Sequence, residues 1–405
     1  MFRTFLGKFV IVQKLYQLTH LFYLILVLFI VALTKTPRGS TIYILHMGGF
    51  GNIVNQADIF FSNVDKNGFI ICLYTPMRHN PEVKRLYGTR FLLVNRGAII
   101  KGFRYENKVI ECSAISKVKK LLSRSFLTRS LCQLQDLKHI AMKKGIDVND
   151  EGWGFWKSKL WFINLPRDNA SLSFLRKQFF EEFKVLDNVL GKSVCSLYLR
   201  KKGNPNVLKD YYRNNKDLEM YLPILEQLKE LNFSVLVYGD VSSRDLDVCS
   251  NFSWVHTFID FGLSKPVWDV FAPVYSDFTI GASGGGLQIP VSLGKKILLL
   301  DAFGYWNWYP NCLHSFKTIT NEEGGVVNPT RFLINDTYTD EFDQLTIRNQ
   351  PSELDIRVLL EFMSLLPRWP LRDSLLSHIQ SKSISHFATG AIISREWLLH
   401  NEVNF

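Results

Sequence analysis

Short apolar runs alternate with amphipathic segments over most of the chain, and this pattern is typical of a parallel α/β fold. In the first half, apolar runs predict strands at Thr41–Leu45, Phe69–Tyr74 and Arg90–Val94. A helix is predicted at Asn55–Phe61, and the basic segment 115–145 predicts further helix. Strands that alternate with helices in this way predict parallel βαβ units.

The second half repeats the alternation more regularly. An amphipathic helix over Phe174–Leu190 ends at Gly191, where we place the boundary between the halves. A helix is predicted at Asp217–Leu231. Apolar runs predict five strands, of which the first precedes this helix: Ser193–Leu199, Ser234–Tyr238, Trp254–Asp260, Phe278–Ile280 and Lys296–Leu300. Five such strands predict a Rossmann-like sheet, in which ligands bind outside the carboxyl ends of the strands.

The N-terminus carries a separate apolar signal. Leu15–Thr34 has no formal charge over 20 residues and is flanked by Lys14 and Lys35. A bilayer crossing needs about 20 apolar residues, and no small-residue cleavage site follows the segment. We therefore expect residues 1–38 to associate with a membrane, either as a single span or as a helix that lies in the interface, and a purely buried core helix is the alternative.

Composition narrows the class of partner. The 405 residues suffice for two domains, at 39–190 and 191–370, followed by a tail at 371–405 that we expect to pack back on the body. The net charge of +11 predicts an anionic partner. Basic clusters are short and no RNA-binding or helix-turn-helix motif accompanies them, so we expect a nucleotide or a membrane surface rather than nucleic acid. The six cysteines show no metal or disulfide spacing, which favours a reducing compartment.

The strongest local motif is a glycine-rich turn between two predicted strands, within Asp277–Asp301. A strand, a glycine turn and a helix N-terminus together form an anion site, because backbone N–H groups point out of the turn. A tight turn without a ligand is the alternative. A Walker A loop is excluded because no Gly-Lys-Ser/Thr follows the glycines. The turn contributes five candidate phosphate-binding residues: Gly281, Ser283, Gly284, Gly285 and Gly286.

Charged residues at the ends of other strands extend this candidate site. Arg200 follows the first strand of the second half, and an arginine there is able to clamp a phosphate. Asp240 follows the next strand. Arg213 and Asn214 precede the helix at Asp217–Leu231, where the asparagine is alternatively a helix cap.

Two blocks of the second half resemble a family of bacterial glycosyltransferases from surface-polysaccharide loci. The blocks are YRNNKDLEMYLPILEQLKELNFSVLVYGD and SDFTIGASGGGLQIPVSLGKKILLLD, and the likeness covers about 195–300. The stretch HMGGFGNIVNQAD is a thinner match and the tail GAIISREWLLHNEV a suggestive one. LYLRKKG more distantly resembles the strand–arginine motif of fucosyltransferase-like enzymes, whose arginine holds the donor phosphate, although the second adjacent arginine is missing here.

The resemblance implies a GT-B-like α/β fold, with two Rossmann-like domains facing across a cleft after the hydrophobic N-terminal helix. It implies transfer of a sugar from a nucleotide-sugar to a lipid-linked or polysaccharide acceptor at the cytoplasmic membrane, with the catalytic domains facing the cytoplasm. A nucleotide-sugar epimerase and a non-catalytic sugar-binding scaffold of a polysaccharide assembly complex remain alternatives.

Glycosyl transfer needs stabilisation of the departing diphosphate and, in an inverting reaction, a base for the acceptor hydroxyl. We expect the base from the first half, with His46 as the first choice and Asp58 as the second. The neighbouring loop supplies the acceptor-side candidates, which are Gly48, Gly49, Gly51 and Asn52. The only Asp-x-Asp match, Asp245–Asp247, falls inside a predicted helix, so we expect no metal site and no cofactor other than the nucleotide-sugar co-substrate.

Overall fold

The computed structural model divides the chain into two compact units, Met1–Lys143 and Lys144–Phe405. The structure describes the following residues: 2–46, 50–65, 67–74, 80–95, 113–122, 130–132, 139, 142–143, 170–191, 193–200, 217–302, 311–326, 346–368 and 391–401. Each unit has its own sheet and is described by itself.

The first unit is a four-stranded parallel sheet that follows a long helix. Its elements are α1 (Phe2–Thr34), β1 (Thr41–His46), α2 (Phe50–Asn63), β2 (Phe69–Tyr74), β3 (Phe91–Asn95), α3 (113–122) and β4 (Ser130–Cys132). The strand order is β3-β2-β1-β4, and every pair is parallel. Ile42 and Ile44 of β1 and Ile71 of β2 form its buried core together with one face of α1.

One prediction for this unit is wrong in part. The basic segment 115–145 was expected to be helical, and α3 covers its start, but β4 lies inside the segment and pairs with Thr41–Tyr43 of β1. Pairing with a buried strand outweighs the local helical pattern, because strand formation depends on the neighbour that a segment meets.

The second unit is a seven-stranded parallel sheet covered by helices. Its elements are α4 (Ala170–Gln178), α5 (Phe180–Asp187), β5 (Val194–Leu199), α6 (Leu222–Glu230), β6 (Ser234–Gly239), α7 (Ser243–Cys249), β7 (Val255–His256), α8 (Lys265–Tyr275), β8 (Phe278–Gly281), α9 (Gln288–Ser292), β9 (Lys296–Ala302), β10 (Cys312–Phe316), β11 (Thr318–Thr320), β12 (Thr346–Arg348), α10 (Ser352–Leu365), β13 (Ala391–Ile393) and α11 (Arg395–His400). The order is β13-β10-β9-β8-β5-β6-β7, while β11 and β12 form a separate antiparallel pair. Strands β5, β8 and β10 are buried at every position, as expected of a parallel sheet covered on both faces.

The strand order confirms the predicted Rossmann-like topology. From β5 the chain proceeds to β6 and β7 on one side, and from β8 to β9, β10 and β13 on the other. The α/β class, with parallel sheets after an N-terminal apolar helix, is therefore as predicted. The point between β5 and β8 is where the strand order reverses, and ligands of open α/β sheets bind at this point.

Two local expectations differ from the structure. The strand predicted at Trp254–Asp260 is only two residues long, because the Asp260 carboxylate accepts a hydrogen bond from the Thr257 N–H at 2.6 Å and forms a turn. The helical segment before Gly191 belongs to the second unit and not to the first, since Phe179 and Phe183 pack on Phe271 of α8.

The C-terminal segment forms part of the second sheet. Strand β13 pairs with β10 in parallel, and α11 follows it directly. The Glu361 carboxylate of α10 accepts hydrogen bonds from the Ser394 hydroxyl at 2.6 Å and from the N–H of Arg395 at 2.9 Å. A carboxylate at the start of α11 satisfies N–H groups that the helix leaves unpaired.

Candidate functional site

The candidate site of the second unit lies at the carboxyl ends of β5 and β8. These strands are neighbours, and their register places Tyr198 opposite Gly281. Arg200 directly follows β5 and the glycine-rich turn directly follows β8. The fold therefore brings together two motifs that are about eighty residues apart in the sequence.

Arg200 is fixed to the turn by a hydrogen bond. Its Nη1 donates to the Ser283 carbonyl oxygen at 2.9 Å, and the residue is half-buried. Within the described part of the chain, no carboxylate lies at ion-pair distance from this guanidinium. A guanidinium has five N–H donors, so this arrangement suits binding of an anion.

Tyr198 is the residue of the site that sequence reasoning missed. Its buried ring lies under the turn, and a Cβ atom at Gly286 would stand 2.3 Å from its Cε2. A Cβ at Gly284 would stand 2.5 Å from Cε1, and one at Gly281 would stand 2.9 Å from the tyrosine Cβ. These three positions therefore require glycine, because the chain wraps closely around an aromatic ring.

The Tyr198 hydroxyl is a neutral group at physiological pH. Burial raises its pKa to about 12, although a hydrogen bond from the Gly286 backbone and the nearby Arg200 charge act in the opposite direction. The phenol thus supports the turn without adding a negative charge beside a site suited to anions.

The turn itself differs in part from the expected anion site. Ser283 is buried and the short helix begins after Gly284, which has no side chain to cap it, while Gly285 is exposed. Helix α9 has five residues and follows a single 3₁₀ turn at Gly285–Leu287. So short a helix has a small dipole, because the dipole sums over aligned peptide units. The capacity to bind an anion therefore rests on Arg200 and the exposed backbone near Gly285.

Asp240 lies beside this site at the carboxyl end of β6 and is exposed. The preceding Gly239 has φ +96° and is held by α8, where the Asp269 carboxylate accepts its N–H at 3.1 Å and the Lys265 ammonium donates to its carbonyl. Burial raises the pKa of Asp269, and the adjacent Lys265 charge offsets part of that effect. The Asp240 backbone is fixed by these neighbours and by its own N–H bond to the Leu199 carbonyl at 2.9 Å.

Asp245 has a structural role that accounts for the Asp-x-Asp match. Its carboxylate accepts the Ser242 N–H at 2.8 Å, and its own N–H donates to the Ser242 hydroxyl at 3.2 Å. This reciprocal arrangement is a capping box at the start of α7.

The first unit contains the predicted base candidates at separate places. His46 is the last residue of β1, next to the point between β1 and β4 where the order of that sheet reverses. Asp58 lies on α2 and is buried, and the Tyr87 hydroxyl donates to its Oδ1 at 3.0 Å. This contact gives Asp58 a structural partner, and a catalytic role for either residue stays a prediction.

Several predicted residues lack a described position or side chain. Gly48, Gly49, Arg213 and Asn214 lie outside the described residues. Gly51 and Asn52 fall in the first turn of α2, and the structure describes their backbone only. The predicted second-unit site is therefore brought together through Arg200, Asp240 and the turn Gly281–Gly286.

Comparison with known proteins yields distant likenesses of fold. No protein-family model and no curated protein matches the chain. Among solved structures, the chain is similar to the ADP-heptose LPS heptosyltransferase II of E. coli, at 10% identity over 81% of this chain and 99% of that one, with a TM-score of 0.44. It is similar to a family 9 glycosyl transferase of Veillonella parvula, at 11% identity over 68% and 84%, with a TM-score of 0.40. It is also similar to the UDP-GlcNAc 2-epimerase of Neisseria meningitidis, at 13% identity over 90% and 98%, with a TM-score of 0.36. These values assign neither a ligand nor an activity to this chain.

Proposed function

We propose that this protein is a glycosyltransferase that moves a sugar from a nucleotide-sugar donor to a lipid-linked or polysaccharide acceptor in cell-surface glycan synthesis. The observation that carries the proposal is the Arg200 guanidinium, held against the glycine-rich turn where the strand order reverses. An open α/β sheet binds its ligand at this place, and a guanidinium recognises phosphate oxygens.

In this proposal the second unit binds the donor. Arg200 and the backbone near Gly285 bind the diphosphate, and Asp240 accepts hydrogen bonds from ribose hydroxyls, as an acid at the end of a neighbouring strand does in dinucleotide folds. Arg213 and Asn214 belong to the same proposed site by resemblance. As the bond between the sugar and the diphosphate breaks, negative charge grows on the diphosphate, and the Arg200 charge stabilises it without a metal.

The first unit is proposed to supply the base and to bind the acceptor. In an inverting reaction, His46 would remove the proton of the acceptor hydroxyl as that oxygen bonds to the anomeric carbon and the diphosphate leaves. We place the enzyme at the cytoplasmic membrane with both units facing the cytoplasm, where nucleotide-sugars and lipid-linked acceptors meet.

Thermal stabilisation by nucleotides tests the donor site. The purified protein should melt at a higher temperature with at least one of the ADP-, UDP-, GDP- and CMP-sugars, because a ligand that binds the folded state stabilises it. Arg200→Ala should weaken that binding about 10- to 100-fold, the loss expected for a hydrogen bond to a charged group. Arg244→Ala is the matched control, since Arg244 is an exposed arginine of the same unit paired with Glu219 at 2.7 Å. The proposed donor site would be contradicted if no nucleotide stabilised the protein. It would also be contradicted if Arg200→Ala and Arg244→Ala weakened nucleotide binding equally.

Product analysis separates transfer from the alternatives. A transferase hydrolyses the donor slowly and passes the sugar to added lipid-linked acceptor, and a chelator leaves the rate unchanged. Conversion of the donor to an epimer would identify a nucleotide-sugar epimerase instead, and tight binding without turnover would identify a non-catalytic sugar-binding protein.

A further inference from the structure

Helix α1 is apolar on two opposite faces, and the first unit covers only one of them. Leu24, Leu28 and Ala32 are fully buried and follow one another at four-residue spacing. They belong to the same buried cluster as Ile42 and Ile71 of the sheet. This face of α1 is a part of the core of the first unit.

The opposite face is exposed and equally apolar. Its residues also follow at four-residue spacing, and we call them the outer stripe: Leu18, Phe22, Leu26 and Ile30. Their exposed fractions are 51%, 63%, 58% and 46%. The window Gln17–Thr34 has a mean hydropathy of 2.1, and by length and composition alone it would suffice to cross a membrane. A contiguous stripe of large apolar side chains marks an interaction surface, whereas scattered ones do not.

Exposed basic residues accompany the outer stripe. Lys35 and Arg38 follow the end of α1 and are exposed. Helix α3 packs into the same cluster as α1 through Ala114 and Val118, and it exposes Lys117 and Lys120. An apolar stripe that is followed directly by Lys35 and Arg38, on a unit that exposes further lysines, matches a membrane interface that carries acidic lipid headgroups.

We propose that α1 lies in the surface of an acidic membrane, with the outer stripe inserted at the boundary between headgroups and acyl chains, and that it does not span the bilayer. A spanning helix would need lipid around its whole circumference. Leu24, Leu28 and Ala32 would then leave the core, and the sheet residues that they cover would be exposed to water. The interfacial arrangement keeps this core intact and covers the outer stripe. It is independent of the donor site, so nucleotide binding survives if this proposal fails.

Vesicle binding of the full chain tests the stripe. The protein should co-sediment with vesicles of phosphatidylcholine and phosphatidylglycerol, and more weakly with vesicles of phosphatidylcholine alone. Leu26→Glu should lower binding about tenfold or more, because it removes one inserted leucine and adds a like charge. Ile259→Glu is the matched control, since Ile259 is also 58% exposed but lies in the second unit. Both variants should keep the wild-type melting temperature, because both positions are exposed. Unchanged binding of the Leu26→Glu variant would overturn the proposal.

Two further outcomes distinguish other arrangements. With an epitope tag at the N-terminus, protease added outside the vesicles should remove the tag, because both ends of α1 lie on one side of the membrane. A protected tag would mean that α1 spans the bilayer. Light scattering should show the same mass for wild type and Leu26→Glu without vesicles. A dimer that this substitution dissociates would mean that a second copy covers the stripe, and it would also overturn the proposal.

Discussion

The two edges of the seven-stranded sheet use charged side chains in different ways. At the amino edge, the Lys295 ammonium donates to the carbonyls of Val274, at 2.7 Å, and Ser276. The Asp277 carboxylate accepts the Val194 N–H at 3.0 Å. Both charges bind backbone groups and hold β5, α8 and β8 together.

At the carboxyl edge the charged side chains lie beside the glycine-rich turn. Arg200 uses one donor on the Ser283 carbonyl, and Asp240 is exposed. The neighbouring chain is shaped instead by Tyr198, around which the glycines pack. The comparison teaches that charges at the amino edge bind backbone groups of neighbouring elements, whereas Arg200 and Asp240 lie at the carboxyl ends of strands, where open α/β sheets bind their ligands.

The largest expected effect comes from overpacking the carboxyl edge. Gly286→Ala places a methyl group 2.3 Å from a ring carbon of the buried Tyr198, so it should destabilise the protein by about 1–3 kcal/mol and abolish nucleotide stabilisation. Urea denaturation measures the first effect and thermal shift the second.

Gly191→Ala is the control for that substitution, because a Cβ there meets nothing within 4 Å. It should leave both measurements unchanged. If Gly286→Ala also left stability and nucleotide stabilisation unchanged, the glycine turn would not depend on close packing against Tyr198. The proposed difference between the two edges would then be wrong.

The charge at the amino edge should affect how the stability of the protein depends on pH. Burial lowers the pKa of Lys295 from 10.5 to about 7, although the Asp277 charge acts in the opposite direction. Between these values the unfolded chain binds more protons than the folded one, so stability rises with pH, by up to about 1.4 kcal/mol per pH unit from this one group. Lys295→Met should reduce that slope in urea titrations between pH 7 and about pH 8.5, compared with wild type, in which the cysteine thiols contribute the same slope because they are unchanged.

Nucleotide binding should not respond to Lys295→Met, because Lys295 lies at the opposite edge from the proposed donor site. Lys177→Met, on the exposed surface of α4, should leave the slope of stability against pH as it is. A slope that Lys295→Met does not alter would contradict the lowered pKa of Lys295.

The smallest effects should separate two acids near the carboxyl edge. Asp245→Ala removes the N3 half of a capping box and should cost about 0.3–1.5 kcal/mol of stability without changing nucleotide affinity. Asp240→Ala should do the reverse, with a loss of affinity of about tenfold, the order of one hydrogen bond to a charged group. Denaturation and thermal shift on both variants provide the check. Equal behaviour of the two would remove Asp240 from the proposed site.

Much of the fold was readable because strands of a parallel sheet are buried on both faces. The runs at Phe69–Tyr74 and Ser234–Tyr238 are apolar at nearly every position, and the structure has strands there. The strand at Ser130–Cys132 escaped detection, since three residues carry little pattern and pair only because β1 lies beside them. The Thr257–Asp260 turn escaped for a similar reason, as a side chain competes there with strand pairing.

The sequence by itself determined the α/β class, the apolar α1 and the presence of an arginine and a glycine-rich turn at strand ends. Hydrophobic periodicity and glycine content are patterns of neighbouring residues, so they can be read from the sequence without knowledge of the fold. Only the tertiary structure decided that β5 and β8 are neighbours, that the glycines pack on Tyr198, and that one face of α1 is core while the other is exposed. Those facts depend on contacts between residues far apart in the chain, which no local pattern of the sequence records.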